Sequence, residues 1–160
     1  MPRTLLRTTL LAVTLLLALP LVARADDQSF ARAAITQAVT LDRHETATSK
    51  ALAKVDTRGL AAVPGARRAI KLVRRQVDRM RAAVTPEQTS TPEGETAKRK
   101  LLEILAAEKR AYGTLDSALV AYKRGDNATA RTLLSRAKRS IASIRVQAGR
   151  LGSELQAMAA

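Results

Sequence analysis

Three stretches of this chain repeat apolar residues at alternating steps of three and four, and this repeat is the feature that most constrains its fold. Residues 127–158 sustain the repeat for more than three heptads, and residues 92–124 sustain it with one interruption, at Glu108. In residues 64–84 the apolar positions are Ala66, Ile70, Val73, Val77, Met80 and Val84. An average apolar spacing of 3.5 residues is typical of helices packed at shallow angles in a bundle or coiled coil. No stretch alternates apolar and polar residues as a half-buried β-strand does, so an all-α fold is predicted.

Residues 28–55 are predicted to form a further helix, although their apolar stripe is weaker. The polar residues His44, Glu45 and Thr48 fall in or beside the middle of that stripe. Its apolar members are Phe30, Ala34, Ala38, Leu41, Leu52 and Val55. Two folds fit these patterns: a four-helix bundle, and a three-helix bundle with a frayed first helix.

Turn and capping residues separate the predicted helices. Thr91 followed by Pro92 is a typical helix start, and Gly125 followed by Asp126 combines a helix stop with the cap of the next helix. Short connections join helices that lie side by side in opposite directions. The predicted fold is therefore an antiparallel up-down-up-down four-helix bundle.

The N-terminal residues 1–25 are predicted to be a cleaved secretory signal peptide. Arg3 and Arg7 supply positive charge, an apolar run follows from Leu10 to Ala23, and small residues precede the expected cleavage after Ala25. The apolar run is shorter than the roughly 20 residues that span a membrane, which favours cleavage over an uncleaved anchor. The expected mature chain is a single domain, residues 26–160, that is secreted or periplasmic and contains no cysteine.

The charge of the chain is strongly positive and unevenly placed. Lys and Arg number 28 against 14 Asp and Glu, and residues 64–84 alone hold seven bases and one acid. Residues 126–160 hold six bases and two acids. The bases singled out as a polyanion-binding face are Arg67, Arg68, Lys71, Arg74, Arg75 and Arg79. Such a face attracts anionic envelope polymers or lipid headgroups, and the competing interpretation is a solvated surface that provides solubility alone.

Several chemistries are excluded by composition. Without cysteine there is neither a thiol nucleophile nor a thiolate metal site, and three aromatic residues make a poor base-stacking surface, which disfavours nucleic acid as a partner. His44 and Glu45 begin a zinc-protease motif, but its second histidine is replaced by Thr48. A mixed metal site of His44, Glu45 and Glu108 is the remaining metal hypothesis, since all three lie near the middle of their helices.

The sequence thus predicts an exported, cofactor-free envelope protein that is not an enzyme and has a binding or structural role. The main alternative is a small periplasmic chaperone or stress protein that uses apolar seams between its helices. A metal-dependent sensor or enzyme built on His44, Glu45 and Glu108 is a further alternative. Because alanine dominates the apolar positions, each buried residue contributes little area, and dimerisation along an exposed apolar seam is one way to recover stability.

Overall fold

The computed structural model describes the backbone of residues 5–160 and the side chains of residues 25–160. A short 3-10 helix at Gly59–Ala62 joins the first two α-helices. The α-helices are α1 (Leu5–Arg58), α2 (Val63–Val84), α3 (Pro92–Lys123) and α4 (Asn127–Ala159). No β-strand occurs in residues 5–160, which confirms the all-α prediction.

The boundaries of the last three helices lie within one residue of the predicted ranges. The Thr91 side chain accepts a hydrogen bond from the Gly94 amide, and the Asp126 side chain accepts one from the Thr129 amide. Each bond satisfies an amide that lacks a partner in the first turn of a helix. Gly125 has φ +80°, a backbone conformation that glycine adopts without steric cost. The three predicted capping residues are therefore confirmed.

Helix α1 is longer than the predicted 28–55. It begins at Leu5, so helical backbone passes through the predicted cleavage site after Ala25. Leucine and alanine, which dominate the leader, are strong helix formers and provide a physical reason for this extension. The side chains of residues 1–24, which make up nearly all of the predicted signal peptide, lie outside the described part of the structure. The signal-peptide prediction therefore remains a prediction. Within the part that is described, no helix is both long enough and apolar enough to cross a membrane.

Helices that follow one another in sequence pack against each other in opposite directions. Helix α1 contacts α2 and α4, and α3 contacts the same two helices. The Ser29 hydroxyl, early in the described part of α1, donates to Glu87 just beyond the end of α2. Lys100 near the start of α3 donates to Glu154 near the end of α4. These contacts place the start of one helix beside the end of the next.

The core lies along the apolar stripes that the sequence shows. The largest fully buried side chains include Phe30 from α1, Ile70 from α2, and Leu105 and Leu115 from α3. Phe30 is fully buried, with Ala31 and Ala34 beside it on the same helix. Residues 25–58 therefore contribute directly to the core.

Asp27 fixes the beginning of the described side chains to the start of α3. It is 6% exposed, and its carboxylate accepts hydrogen bonds from the Ser90 amide, at 3.0 Å, and from the Thr91 hydroxyl. A Cβ atom at Gly94 would lie 2.6 Å from the Asp27 Cγ atom, so the close approach requires glycine. A carboxylate here is also favoured by the positive end of the α3 dipole.

Candidate functional site

Four of the six predicted polyanion-binding residues form an exposed row along α2. Arg68, Lys71, Arg75 and Arg79 are all exposed, and steps of three, four and four residues place them on one side of the helix. At 1.5 Å per residue the row is about 16 Å long. No member makes an ion pair within residues 25–160. We call these four residues the basic ridge.

Arg67 is occupied in a contact between helices. Its Nε and Nη2 atoms donate to the two carboxylate oxygens of Asp116 on α3, at 2.7 and 3.0 Å. This two-bond geometry is the strong form of an arginine–carboxylate contact. The hydrogen bond from Arg67 holds the pKa of Asp116 below its ordinary value, and Lys71 and Arg74 lower it further. Arg67 therefore links α2 to α3.

Arg74 and Asp78 lie toward the same side of α2. Arg74 is half-buried, and its Nε atom is buried without a hydrogen-bond partner among the described residues. Asp78 is the one acid of α2, and it accepts a hydrogen bond from Lys109 of α3 at 2.6 Å. Since Lys109 already neutralises Asp78, the basic ridge keeps its full charge.

The basic residues of α4 belong to a different edge of the molecule. Helices α2 and α4 each make their main helix contacts with α1 and α3 rather than with each other. The basic charges of α2 and α4 therefore belong to two helices that share few contacts.

A second candidate site is a pair of acids, of which Glu108 is buried and Glu45 is half-buried. Glu108 of α3 is 5% exposed, and its carboxyl lies near that of Glu45 from α1, which acts on its pKa. The Tyr112 hydroxyl donates to Glu45 Oε1 at 3.2 Å. Glu108 lies on the inward face of α3, which turns it away from solvent and toward α1.

Burial changes the protonation of this pair. Removal from water raises the pKa of Glu108 to about 9, interaction with the nearby Glu45 carboxyl adds to the effect, and the charge of Arg145 opposes it. Burial also raises the pKa of Tyr112, with Glu45 and Glu108 contributing. At neutral pH Glu108 therefore carries a proton and is uncharged.

His44 does not join the two acids in a metal site. It lies seven residues after Gln37, on the same side of α1, and Gln37 accepts a hydrogen bond from Gln76 of α2. Glu45, one position later, turns instead toward Glu108. Among the residues searched in the described chain, no three His, Asp or Glu side chains are grouped to hold a metal ion. The structure thus brings together two members of the predicted mixed site and separates the third.

A cavity of about 420 Å³ lies between α1, α3 and α4, and sequence reasoning missed it. Its walls are mainly apolar, with Leu41, Leu105 and Leu151 among them, and Glu108 is part of its lining. The available signal was Glu108 itself, an acid in an otherwise apolar stripe. The cavity could not be inferred from that signal, since residues from four helices line it.

Comparison with known proteins gives no further identification. Neither the family models, nor the curated proteins, nor the solved structures include a match to this chain. The functional assignment accordingly depends on the residues and geometry described above.

Proposed function

We propose that this chain is an exported, non-enzymatic protein of the cell envelope that binds phosphate-bearing anionic surfaces through the basic ridge. Phosphate is the chemistry shared by anionic lipid headgroups and phosphate-rich wall polymers. We further propose that residues 26–160 form an up-down-up-down four-helix bundle. The antiparallel contacts between successive helices and the buried Phe30 of α1 support this architecture.

The observation that carries the binding proposal is the unpaired charge of the ridge. Arg68, Lys71, Arg75 and Arg79 are exposed, and no acid within residues 25–160 forms an ion pair with them. Each basic residue near an anionic membrane contributes about 1 kcal/mol of attraction, which salt screens. Arg67 is left out of the binding set because Asp116 already occupies its guanidinium.

An apolar docking function has less support. The exposed large apolar side chains of the described residues are Val39, Leu60, Leu72 and Val146, one on each of four different elements. Isolated apolar residues are ordinary on a protein surface, whereas a client-binding surface requires a contiguous patch. The chaperone alternative therefore remains second to charge-driven binding.

Removal of ridge charge is expected to weaken membrane binding. The double variant Arg68→Gln/Arg75→Gln should bind phosphatidylglycerol vesicles about 10- to 30-fold more weakly, because two contributions of about 1 kcal/mol are lost. The measurement is co-sedimentation at low and high salt, with phosphatidylcholine vesicles as the neutral surface. Poly(glycerol phosphate) competing in solution distinguishes a polymer partner from a lipid partner.

A matched control removes the same charge from the other basic helix. Arg136→Gln/Arg139→Gln changes two exposed arginines of α4 and should leave vesicle binding within about twofold of the wild type, since α4 lies diagonally opposite α2 in the proposed bundle. Equal losses in both double variants would argue against the ridge as the site. Binding that does not respond to salt would argue against any charge-driven mechanism.

The export proposal makes a separate prediction. The protein recovered outside the cytoplasm of an exporting host should begin at Asp26, since small residues precede that position as a signal peptidase requires. N-terminal sequencing or intact-mass measurement of the exported product tests this. An exported product that still begins at Met1 contradicts cleavage, and retention of all product in the cytoplasm contradicts export.

A further inference from the structure

Leu72 of α2 is an exposed leucine that lies within the basic ridge. With 43% of its surface exposed, it is one of the four exposed large apolar residues of the described chain. It follows Arg68 by four residues and precedes Arg75 by three, and these spacings place the three side chains on one side of the helix. Along the helix axis, Leu72 is about 6 Å from Arg68 and about 4.5 Å from Arg75. An apolar side chain thus lies among the cations of the ridge.

The charges around Leu72 are suited to bringing it against an anionic surface. The ridge residues are exposed and form no ion pair within residues 25–160. Asp78, the one acid of α2, accepts a hydrogen bond from Lys109 of α3. Long lysine and arginine side chains bend so that their charge stays in a polar layer while their stems lie along apolar material. The cations therefore attract an anionic surface without holding Leu72 away from it.

We propose that the anionic surface bound by the basic ridge is a lipid bilayer, and that Leu72 inserts between its headgroups. This inference rests on the proposed function and selects lipid over wall polymer as the partner. A bilayer has an apolar layer directly beneath its phosphates, where the apolar side chains of a surface-bound helix are buried. A phosphate-rich polymer in water offers no such layer. Burial of Leu72 therefore strengthens binding to lipid alone.

Leu72→Ala separates lipid from polymer without any change in charge. The variant should bind phosphatidylglycerol vesicles about 3- to 10-fold more weakly in co-sedimentation, because it loses apolar area that the bilayer buries. Calorimetry should show binding of poly(glycerol phosphate) within about twofold of the wild type, because every cation of the ridge remains. Circular dichroism establishes that the variant is folded.

Val146→Ala is the matched control on α4. Val146 is 58% exposed, and its neighbours Arg145 and Arg150 are also exposed, so the position resembles Leu72 in both exposure and nearby charge. The variant should leave vesicle binding within about twofold of the wild type, because the bilayer lies against α2 and buries no apolar area at position 146.

A single tryptophan reports whether position 72 enters the bilayer. The chain contains no tryptophan, so Leu72→Trp provides a fluorescence signal without background. On phosphatidylglycerol vesicles its emission should move to shorter wavelengths, and lipids brominated on their acyl chains should quench it. Val146→Trp should show neither effect. Poly(glycerol phosphate) should leave the emission of both variants unchanged.

The outcomes separate this inference from the proposed function. If the wild type binds both vesicles and polymer but Leu72→Ala weakens neither and Leu72→Trp is not quenched, insertion of Leu72 is wrong and charge-driven binding stands. Equal weakening of Leu72→Ala on vesicles and polymer, or equal quenching at positions 72 and 146, also contradicts insertion through the ridge. If the wild type binds neither surface at low salt, the proposed function is wrong and this inference falls with it.

Discussion

Phe30→Ala is expected to lower the free energy of unfolding by about 3–5 kcal/mol, the range for removing a fully buried phenylalanine. Phe30 is fully buried and is the single phenylalanine of a core that is otherwise rich in alanine. Small domains have a total stability of about 5–15 kcal/mol. The loss therefore removes a large part of the stability of this domain.

Urea denaturation followed by circular dichroism measures this effect. Val39→Ala provides the control, because Val39 lies on the same helix with 51% of its surface exposed and should change stability by no more than about 0.5 kcal/mol. The experiment also decides between the two folds that the sequence allows. An unchanged urea midpoint in Phe30→Ala would show that α1 does not stabilise the domain, as the three-helix alternative requires.

The second large effect is a dependence of stability on pH that originates at Glu108. Its folded pKa of about 9 lies above the ordinary glutamate value of 4.5. Between these values the unfolded chain has lost a proton that the folded chain still holds, so stability falls as pH rises, by at most about 1.4 kcal/mol per pH unit. From pH 5 to pH 8 the loss is therefore expected to reach a few kcal/mol.

Glu108→Gln is expected to remove this dependence, because glutamine keeps the shape of the side chain but does not titrate. Urea unfolding at pH 5 and pH 8 should show the wild type losing stability relative to Glu108→Gln as pH rises. Glu103→Gln, on the exposed side of α3, should follow the wild type. Parallel pH profiles for the wild type and Glu108→Gln would contradict the buried, protonated state of Glu108.

Local sequence signals predicted most of the helical structure. The capping residues Thr91 and Asp126 act on amides three residues away, so their role is visible in the sequence itself. The apolar stripe of α2 is buried as its spacing indicates, from Ala66 to Val84. The start of helix α1 was less predictable. Residues 5–24 are rich in leucine and alanine, and the sequence does not show where along them a helix begins.

The candidate sites depend on contacts between distant parts of the chain, and the sequence could not supply these. Arg67 and Asp116 are 49 residues apart, so the sequence placed Arg67 on the basic face without its partner. Glu108 was visible as an irregular member of the α3 stripe, but its burial depends on Glu45 and on α4. Charge composition indicated six basic residues on α2. Packing decided which four of them are exposed and form the basic ridge.

The contact between Asp27 and the start of α3 limits where the proposed signal-peptide cleavage can fall. A cut after Ala25 preserves the carboxylate that accepts hydrogen bonds from Ser90 and Thr91, whereas a cut two residues later discards it. Alanine at position 94 would displace the same carboxylate without any change in processing. The proposed cleavage therefore has to precede Asp27, because the second residue of the expected product already bears part of the folded architecture.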